Sequence, residues 1–238
     1  ATDDVALGPA AANPYDTHPV ALASRVATVQ EVSGGRAVFG IGPGDRSTLS
    51  ALGVEREKPL RRVLETFKMA QDLWAGESVD ADGTFRAADA DLEYEVEGEI
   101  PVYVGAQGPH MIRMSAKHAD GVLYNGSHPR DVAWAAEQVA AGLDDRPDER
   151  GDFDFAVYAS VSVAEDEAAA REAARPPVAF IAGGAAPPVL ERHDLDRERA
   201  DAVGAAIESG SFSEGFGLVT EEMIDAFCIA GTPEQVEN

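Results

Sequence analysis

Three segments of this sequence place small residues next to groups that could do chemistry. Residues 34–45 read GGRAVFGIGPGD, so a short apolar run opens into a glycine-rich loop that ends in the carboxylate of Asp45. Glycine lacks a side chain, so a flat ligand could approach the backbone there closely. Asp45 would lie at the mouth of that space, where a carboxylate can supply a proton or a charge. An ordinary connection between a strand and a helix explains the same residues equally well.

The other two segments also have small residues where a buried strand is expected to end. Residues 8–14 read GPAAANP, and a proline inside a buried strand marks a bulge or an end. Residues 104–109 read VGAQGP, so two glycines flank a tight turn before a helix. The N–H groups at such a helix start could bind a phosphate. An edge irregularity and a simple tight turn are the alternatives, and neither segment has the spacing of a Walker or dinucleotide fingerprint.

The histidines and the single cysteine suggest no metal site and no covalent nucleophile. No two histidines have the i, i+4 spacing of a helical metal site. His18 and His128 each precede a proline at an expected helix start, so both could face a ligand. No G-x-S-x-G elbow and no Cys/His pair is present. Cys228 lies in an apolar run, which is typical of a cysteine packed in the core.

The composition is that of a globular protein with a strongly acidic surface. The chain has 238 residues, 45% of them hydrophobic, and a formal net charge of −24. Lysine occurs only at Lys58, Lys68 and Lys117. A carboxylate-rich, lysine-poor surface suits concentrated salt, where charges are screened within about 3 Å at 1 M. We therefore expect a cytoplasmic protein of a salt-adapted cell, with no nucleic-acid partner and no membrane partner.

Strand-like and helix-like segments alternate along the chain, which predicts a parallel sheet with crossover helices. The carboxyl ends of parallel strands meet at one edge, so the three small-residue segments should gather there. Asp82-Gly83 lies between β-rich flanks and predicts a hairpin within residues 78–96. Strands are expected at 5–12, 37–41, 101–104, 122–124 and 153–163, and helices at 19–32, 60–74, 109–118, 131–143, 166–180, 189–207 and 221–227.

Taken together, these motifs resemble the bacterial-luciferase-like superfamily, and within it the coenzyme F420-dependent methylenetetrahydromethanopterin reductases. The resemblance rests on NPY with a following HP at 13–19, SGGR at 33–36, GIGPGD at 40–45, GAQGP at 105–109 and AGTP at 230–233. It implies an α/β fold of the TIM (β/α)8 barrel type, as a single domain over residues 1–238 with the hairpin as an insertion. By this resemblance, we expect the first two strands and the closing strand of that barrel to be missing from this sequence. We expect either a part of a longer chain or an open or partner-completed fold.

The resemblance also implies a cofactor, a reaction and the residues that serve them. F420 would lie at the carboxyl ends of the strands, beside a non-prolyl cis peptide that matches Ala10–Ala11, where the family usually has glycine first. The reaction would be hydride transfer from reduced F420 to a methylene-tetrahydropterin of one-carbon metabolism, in a homo-oligomer. Asp45 would act at the pterin as an acid or as the partner of an iminium cation. The implied cofactor-binding residues are Ala10, Ala11, Ala12, Asn13, Gly105, Ala106, Gln107 and Gly108.

Several alternatives stay open at this point. The pterin could be methanopterin or folate. A related barrel enzyme could use FMN, or F420 in another oxidoreductase or monooxygenase reaction. A third possibility is a non-catalytic F420-binding relative.

Overall fold

A computed structural model describes residues 3–237, apart from the side chains of Arg46 and Ser47. The described chain forms two compact units. Unit 1 comprises the chain up to Tyr124 together with Ala136–Ala156, and unit 2 comprises Asn125–Ala135 and the chain from Val157 onward. Within residues 3–237, none of the helices is both long enough and apolar enough to cross a bilayer.

Unit 1 contains a parallel sheet and the helices that cover it. Its elements are α1 (Pro19–Ser33), β1 (Phe39–Ile41), α2 (Arg46–Ala51), α3 (Pro59–Trp74), β2 (Val79–Asp82), β3 (Arg86–Ala90), β4 (Val102–Gly105), α4 (Pro109–His118) and β5 (Gly121–Asn125). Two further elements, α5 (Pro129–Leu143) and β6 (Asp154–Tyr158), contribute residues to both units, as does β5 through its last residue. The sheet order is β1-β4-β5-β6. Both β1 and β5 pair parallel to β4, so these strands end at the same edge, as expected.

The core of unit 1 explains why α1 and α3 lie beside the sheet. All three residues of β1 are buried, and Phe67 and Leu73 of α3 are almost fully buried. The indole of Trp74 stacks edge-on against Phe39, with ring centroids 5.6 Å apart. Its N–H donates to the carbonyl oxygen of Ala23 in α1 at 2.9 Å. The apolar stripe of α3 therefore connects α1 to the first strand of the sheet.

The hairpin formed by β2 and β3 packs against His18, just before α1. Strands β2 and β3 pair antiparallel, with Asp82 opposite Arg86. Phe85, in the connection between them, is only 7% exposed. Its ring packs edge-on against the ring of His18, with centroids 5.8 Å apart. The hairpin is thus anchored to the residues that precede α1.

Unit 2 is mostly helical. Its remaining elements are β7 (Val161–Val163), α6 (Glu167–Gly183), α7 (Pro187–Arg192), α8 (Arg197–Glu208), α9 (Phe212–Leu218), α10 (Glu221–Phe227), β8 (Ile229–Gly231) and α11 (Pro233–Glu237). Strands β7 and β8 pair parallel. The core collects Val178, Val203, Met223, Ile224 and Phe227. Helices α6 and α8 approach closely, because a Cβ at Gly183 would lie 2.7 Å from the Cα of Gly204.

Two sequence expectations in this part of the chain are wrong. A single helix over 189–207 is replaced by α7 and α8, because Asp194 adopts a left-handed φ of 53° and ends the first helix. The side chain of Asp196 then caps α8 by accepting from the N–H of Arg199 at 3.0 Å. The expected continuous strand over 153–163 is divided into β6 and β7.

Candidate active site

The first loop of the site, which contains residues 8–14, lies directly against the end of β1. The N–H of Ala12 donates to the carbonyl of Gly40 at 2.9 Å, and the N–H of Gly42 donates to the carbonyl of Ala12 at 2.8 Å. The peptide bond between Ala10 and Ala11 is cis, as the resemblance implied. Ala10 and Ala11 are both exposed, so this backbone faces outward from the end of the strand.

The structure brings the three small-residue segments together. An ideal Cβ at Gly42 would lie 3.6 Å from the Cβ of Ala11 and 3.5 Å from the carbonyl oxygen of Gly105. A Cβ at Gly105 would lie 3.9 Å from the Cβ of Ala11. We call these three residues (Ala11, Gly42 and Gly105) the small-residue floor. It forms because parallel strands β1 and β4 end side by side and the first loop bridges to the end of β1.

The loop after β4 continues from this floor into a helix. The N–H of Ala106, which is buried, donates to the carbonyl of Leu123 in β5 at 3.1 Å. Gln107 and Gly108 are exposed. A Cβ built on Gly108 would meet nothing within 4 Å, and Gly108 immediately precedes the ten-residue helix α4. The loop therefore presents open backbone at a helix start, which suits an anionic group.

Asn13 shapes its own loop. Its Oδ1 accepts from the N–H groups of Tyr15 at 3.0 Å and Asp16 at 3.3 Å, and its Nδ2 donates to Asp16 Oδ2 at 3.0 Å. The same side chain reaches the glycine loop, because a Cβ on Gly44 would lie 3.4 Å from the Cβ of Asn13. Gly44 itself has a φ of 71°, in the left-handed region that favours glycine.

Asp45 caps α2. Its Oδ1 accepts from the N–H of Thr48 at 2.8 Å and from the hydroxyl of Thr48 at 3.0 Å. The residue is exposed at the end of the glycine loop. The cap fixes the direction of the side chain, so Asp45 has a structural role that the sequence analysis did not assign to it.

His18 and His128 have the same local geometry. Nδ1 of His18 accepts from the N–H of Val20 at 3.3 Å, and Nδ1 of His128 accepts from the N–H of Arg130 at 3.1 Å. Each histidine therefore caps a helix whose first residue is a proline. Both rings also contact other parts of the structure. Nε2 of His18 lies 3.1 Å from the carbonyl oxygen of Arg86, and the ring of His128 packs against that of His193.

A pair of residues near the first loop was missed by sequence reasoning. The guanidinium of Arg62 lies over the ring of Tyr15, 4.9 Å from its centroid. The Tyr15 hydroxyl donates to the carbonyl of Glu57 at 2.8 Å. Burial raises the pKa of Tyr15, and the positive charges of Arg62 and Arg56 oppose that rise. No spacing in the sequence distinguishes Arg62 from its exposed neighbours in α3.

A buried charge cluster in unit 2 was also missed. Asp131 is 4% exposed, and its carboxylate accepts from Arg192 and, at 2.8 Å, contacts Nε2 of His193. The rings of His193 and His128 meet edge-on with centroids 4.9 Å apart. Burial lowers the pKa of His128, and positive charge on His193 and Arg130 lowers it further.

Comparison with known proteins now places this site in a family. The model of the luciferase-like monooxygenases matches residues 1–238. The chain belongs to the luciferase-like family. A 5,10-methylenetetrahydromethanopterin reductase of Archaeoglobus fulgidus is 44% identical over 99% of this chain and 72% of its own length. The corresponding reductase of Methanolobus tindarius is 39% identical over 98% of this chain and 72% of its own length.

A solved structure gives the same result for the fold of this luciferase-like protein. The coenzyme F420-dependent tetrahydromethanopterin reductase of Methanopyrus kandleri superposes with a TM-score of 0.85 and 36% identity. The match covers 97% of this chain and 72% of that one. The predicted resemblance to the F420-dependent reductases and the luciferase-like barrel class are therefore confirmed.

Proposed function

We propose that this luciferase-like protein is an F420-dependent 5,10-methylenetetrahydromethanopterin reductase. It transfers a hydride from reduced F420 to a methylene-tetrahydropterin and gives the methyl form. The observation that carries this function is the 44% identity over 99% of the chain to a reductase of that name. The names of the relatives favour methanopterin over folate as the pterin.

The residues of the small-residue floor fit a planar deazaflavin. Ala11, Gly42 and Gly105 carry nothing larger than a methyl group, and a Cβ added at Gly42 or Gly105 would lie 3.5–3.9 Å from atoms of the other two residues. A flat ring system needs such a surface, because any longer side chain would hold it away from the backbone. When bound, F420 supplies the hydride. Ala10, Ala12, Asn13 and residues 106–108 flank floor residues in the sequence and, with Gly105, would hold the cofactor in place.

The protein's own contribution is positioning and charge. The open backbone of Gln107 and Gly108 at the start of α4 would bind an anionic part of the cofactor. Asp45 would face the pterin, where its carboxylate stabilises a cationic iminium or delivers a proton to nitrogen. The cap made with Thr48 holds that carboxylate in one direction before the substrate arrives.

The decisive experiment is a comparison of two cofactors at molar salt. We expect the protein to bind F420 in a fluorescence titration, to bind FMN at least tenfold more weakly, and to reduce methylene-tetrahydromethanopterin with reduced F420. A protein that binds FMN and consumes oxygen would instead be a flavin monooxygenase of the same family. Binding of F420 without any turnover would indicate a non-catalytic relative.

The assembly and the cellular setting are further parts of the proposal. The net charge of −24 and the low lysine content support a salt-adapted cytoplasm. We propose a homo-oligomer. Size-exclusion chromatography with light scattering at molar salt tests it, and a monomer under those conditions would contradict it.

A further inference from the structure

Arg62 differs from Arg61, the other arginine of α3, in its surroundings. Its Nε is buried and has no hydrogen-bond partner among the described residues. The ring contacts with Tyr15 and Phe85 are its close interactions among the side chains that the structure describes. By contrast, the adjacent Arg61 pairs with Glu65. The chain has 43 acidic residues against 19 lysines and arginines, so a guanidinium that meets no carboxylate within the described part of the chain is unexpected.

Two aromatic rings hold the guanidinium of Arg62. Its central carbon lies 4.9 Å from the ring centroid of Tyr15 and 5.3 Å from that of Phe85. Both rings are fixed, because Tyr15 donates to the carbonyl of Glu57 and Phe85 is packed against His18. Cation–π contacts engage the face of a guanidinium and leave its N–H edge available. That edge is a planar fork of donors that matches a carboxylate or a phosphate.

The position of Arg62 connects it to the proposed active site within unit 1. Tyr15 donates its N–H to the side chain of Asn13 at 3.0 Å. Asn13 in turn lies against Gly44, the residue before Asp45. One of the two rings that support Arg62, that of Tyr15, therefore belongs to the same loop that supplies Ala11 to the small-residue floor.

We propose that Arg62 binds an oxyanion, a carboxylate or a phosphate, on the ligand that occupies the small-residue floor. This inference rests on the proposed function, since F420 and tetrahydromethanopterin both carry phosphate and carboxylate groups on their side chains. The net charge of −24 repels anions, so the guanidinium of Arg62, which is joined to the loop of the site through Tyr15 and Asn13, gives such ligands a local attraction. The bound oxyanion supplies the guanidinium with a hydrogen-bond partner, which its Nε lacks among residues 3–237.

The test uses Arg62→Gln and Arg62→Lys, with Arg61→Gln as the matched control. Arg61 is the adjacent arginine of α3, and its side chain is 61% exposed. The wild type and each variant are titrated at molar salt with F420, with a deazaflavin that lacks the phosphate-bearing side chain, and with methylene-tetrahydromethanopterin. We expect Arg62→Gln to lower the affinity for F420 or for the pterin at least tenfold, and Arg62→Lys to lower the same affinity less. Arg61→Gln should change neither affinity by more than twofold.

The pattern of losses identifies the source of the oxyanion. If F420 binds more weakly while the phosphate-free deazaflavin keeps its wild-type affinity, Arg62 contacts the side chain of the cofactor. If the pterin KM rises with F420 affinity unchanged, Arg62 contacts the pterin. Wild-type affinity of Arg62→Gln for all three ligands would overturn the proposal. If Arg62→Gln does not fold, Arg62→Lys gives the same comparison, because lysine keeps the charge but not the fork.

A final arm separates this proposal from the proposed function. If the wild type binds neither F420 nor the pterin, the proposed function fails, and inorganic phosphate then serves as the probe. A rise in melting temperature with phosphate that is larger for the wild type than for the Arg62 variant would still support an oxyanion site. An equal rise in both would overturn it.

Discussion

Replacing Asp45 with asparagine separates the chemistry of this residue from its structural role. The amide oxygen of asparagine can accept the same hydrogen bonds that Asp45 Oδ1 now accepts from Thr48. Asparagine and aspartate cap helices about equally well, so Asp45→Asn should change the free energy of unfolding by less than about 0.5 kcal/mol. Asp45→Ala removes the cap as well and should destabilise by about 0.5–2 kcal/mol.

The effect of Asp45→Asn on turnover comes from the lost charge. A carboxylate about 4 Å from a cation near a protein surface contributes roughly 4 kcal/mol at an effective dielectric constant of about 20. Asp45 is exposed, so solvent and salt screen much of this interaction. We therefore expect kcat to fall at least tenfold, which is about 1.4 kcal/mol, with F420 affinity within about twofold of the wild type.

The control is Asp196→Asn, which changes an aspartate cap of the same kind in α8. Asp196 Oδ1 accepts from the N–H of Arg199 at 3.0 Å, so this variant reproduces the change in capping without touching the proposed site. The assays are steady-state kinetics with reduced F420 and denaturant unfolding, both at molar salt. An Asp45→Asn protein with wild-type kcat would remove Asp45 from the reaction and leave it only as a helix cap.

The remaining predictions concern packing, pH and salt. A Cβ at Gly40 would lie 2.1 Å from the carbonyl oxygen of Pro9, so Gly40→Ala should destabilise the protein by about 1–3 kcal/mol or more in denaturant unfolding. The closest atom to a Cβ at Gly42 is 3.5 Å away, so Gly42→Ala should fold normally yet bind F420 about tenfold more weakly. A Gly42→Ala protein that is less stable than Gly40→Ala but binds F420 with wild-type affinity would contradict the proposed role of the floor. Folding lowers the pKa of His128 from its ordinary value of 6.5, so below that pH the unfolded state binds more protons than the folded state. The free energy of unfolding should therefore fall as the pH drops through about 6.5 toward the pKa of the folded state. His128→Asn keeps a capping side chain and should lose less stability between about pH 7.5 and about pH 5.5, and an equal loss in both proteins would exclude His128 as the cause. With a net charge of −24, the wild type should unfold at higher denaturant concentration in about 2 M KCl than in about 0.2 M KCl, and no change would contradict the salt adaptation.

Local signals were enough to predict the helices that begin and end at strong boundaries. The expected helix at 109–118 is α4, which begins at Pro109 after Gly108. The expected helix at 221–227 is α10, whose N-terminus is capped by the hydroxyl of Thr220. The prediction of one helix at 189–207 was wrong, because the apolar spacing continues across the break between α7 and α8. That break depends on a left-handed residue, Asp194, which is not distinguishable from a helical one by periodicity.

The convergence of the three small-residue segments could be predicted because it follows from topology alone. Parallel strands end at a common edge, so any loops that follow β1 and β4 must meet there. The roles of Arg62 and Asp131 could not be predicted, because their partners are distant in sequence. Phe85 lies in the hairpin, whereas Arg62 lies in α3. Asp131 contacts Arg192 and His193, which follow it in the sequence by 61 and 62 positions. Such contacts depend on tertiary packing, which neither spacing nor composition records.

Residues 13–19 and 125–129 both begin with an asparagine and end with His-Pro, and this similarity has a local physical cause. In each copy the imidazole Nδ1 of the histidine accepts the N–H two residues later, while the proline occupies the first helical position. The motif therefore indicates how a helix begins, and it does not by itself indicate a ligand. The two histidines differ only in their tertiary contacts. His18 packs against Phe85 of the hairpin, whereas His128 packs against His193, which is bonded to the buried carboxylate of Asp131. A change that keeps the cap, such as histidine to asparagine, therefore probes a different contact at each position even though the two caps have the same local geometry.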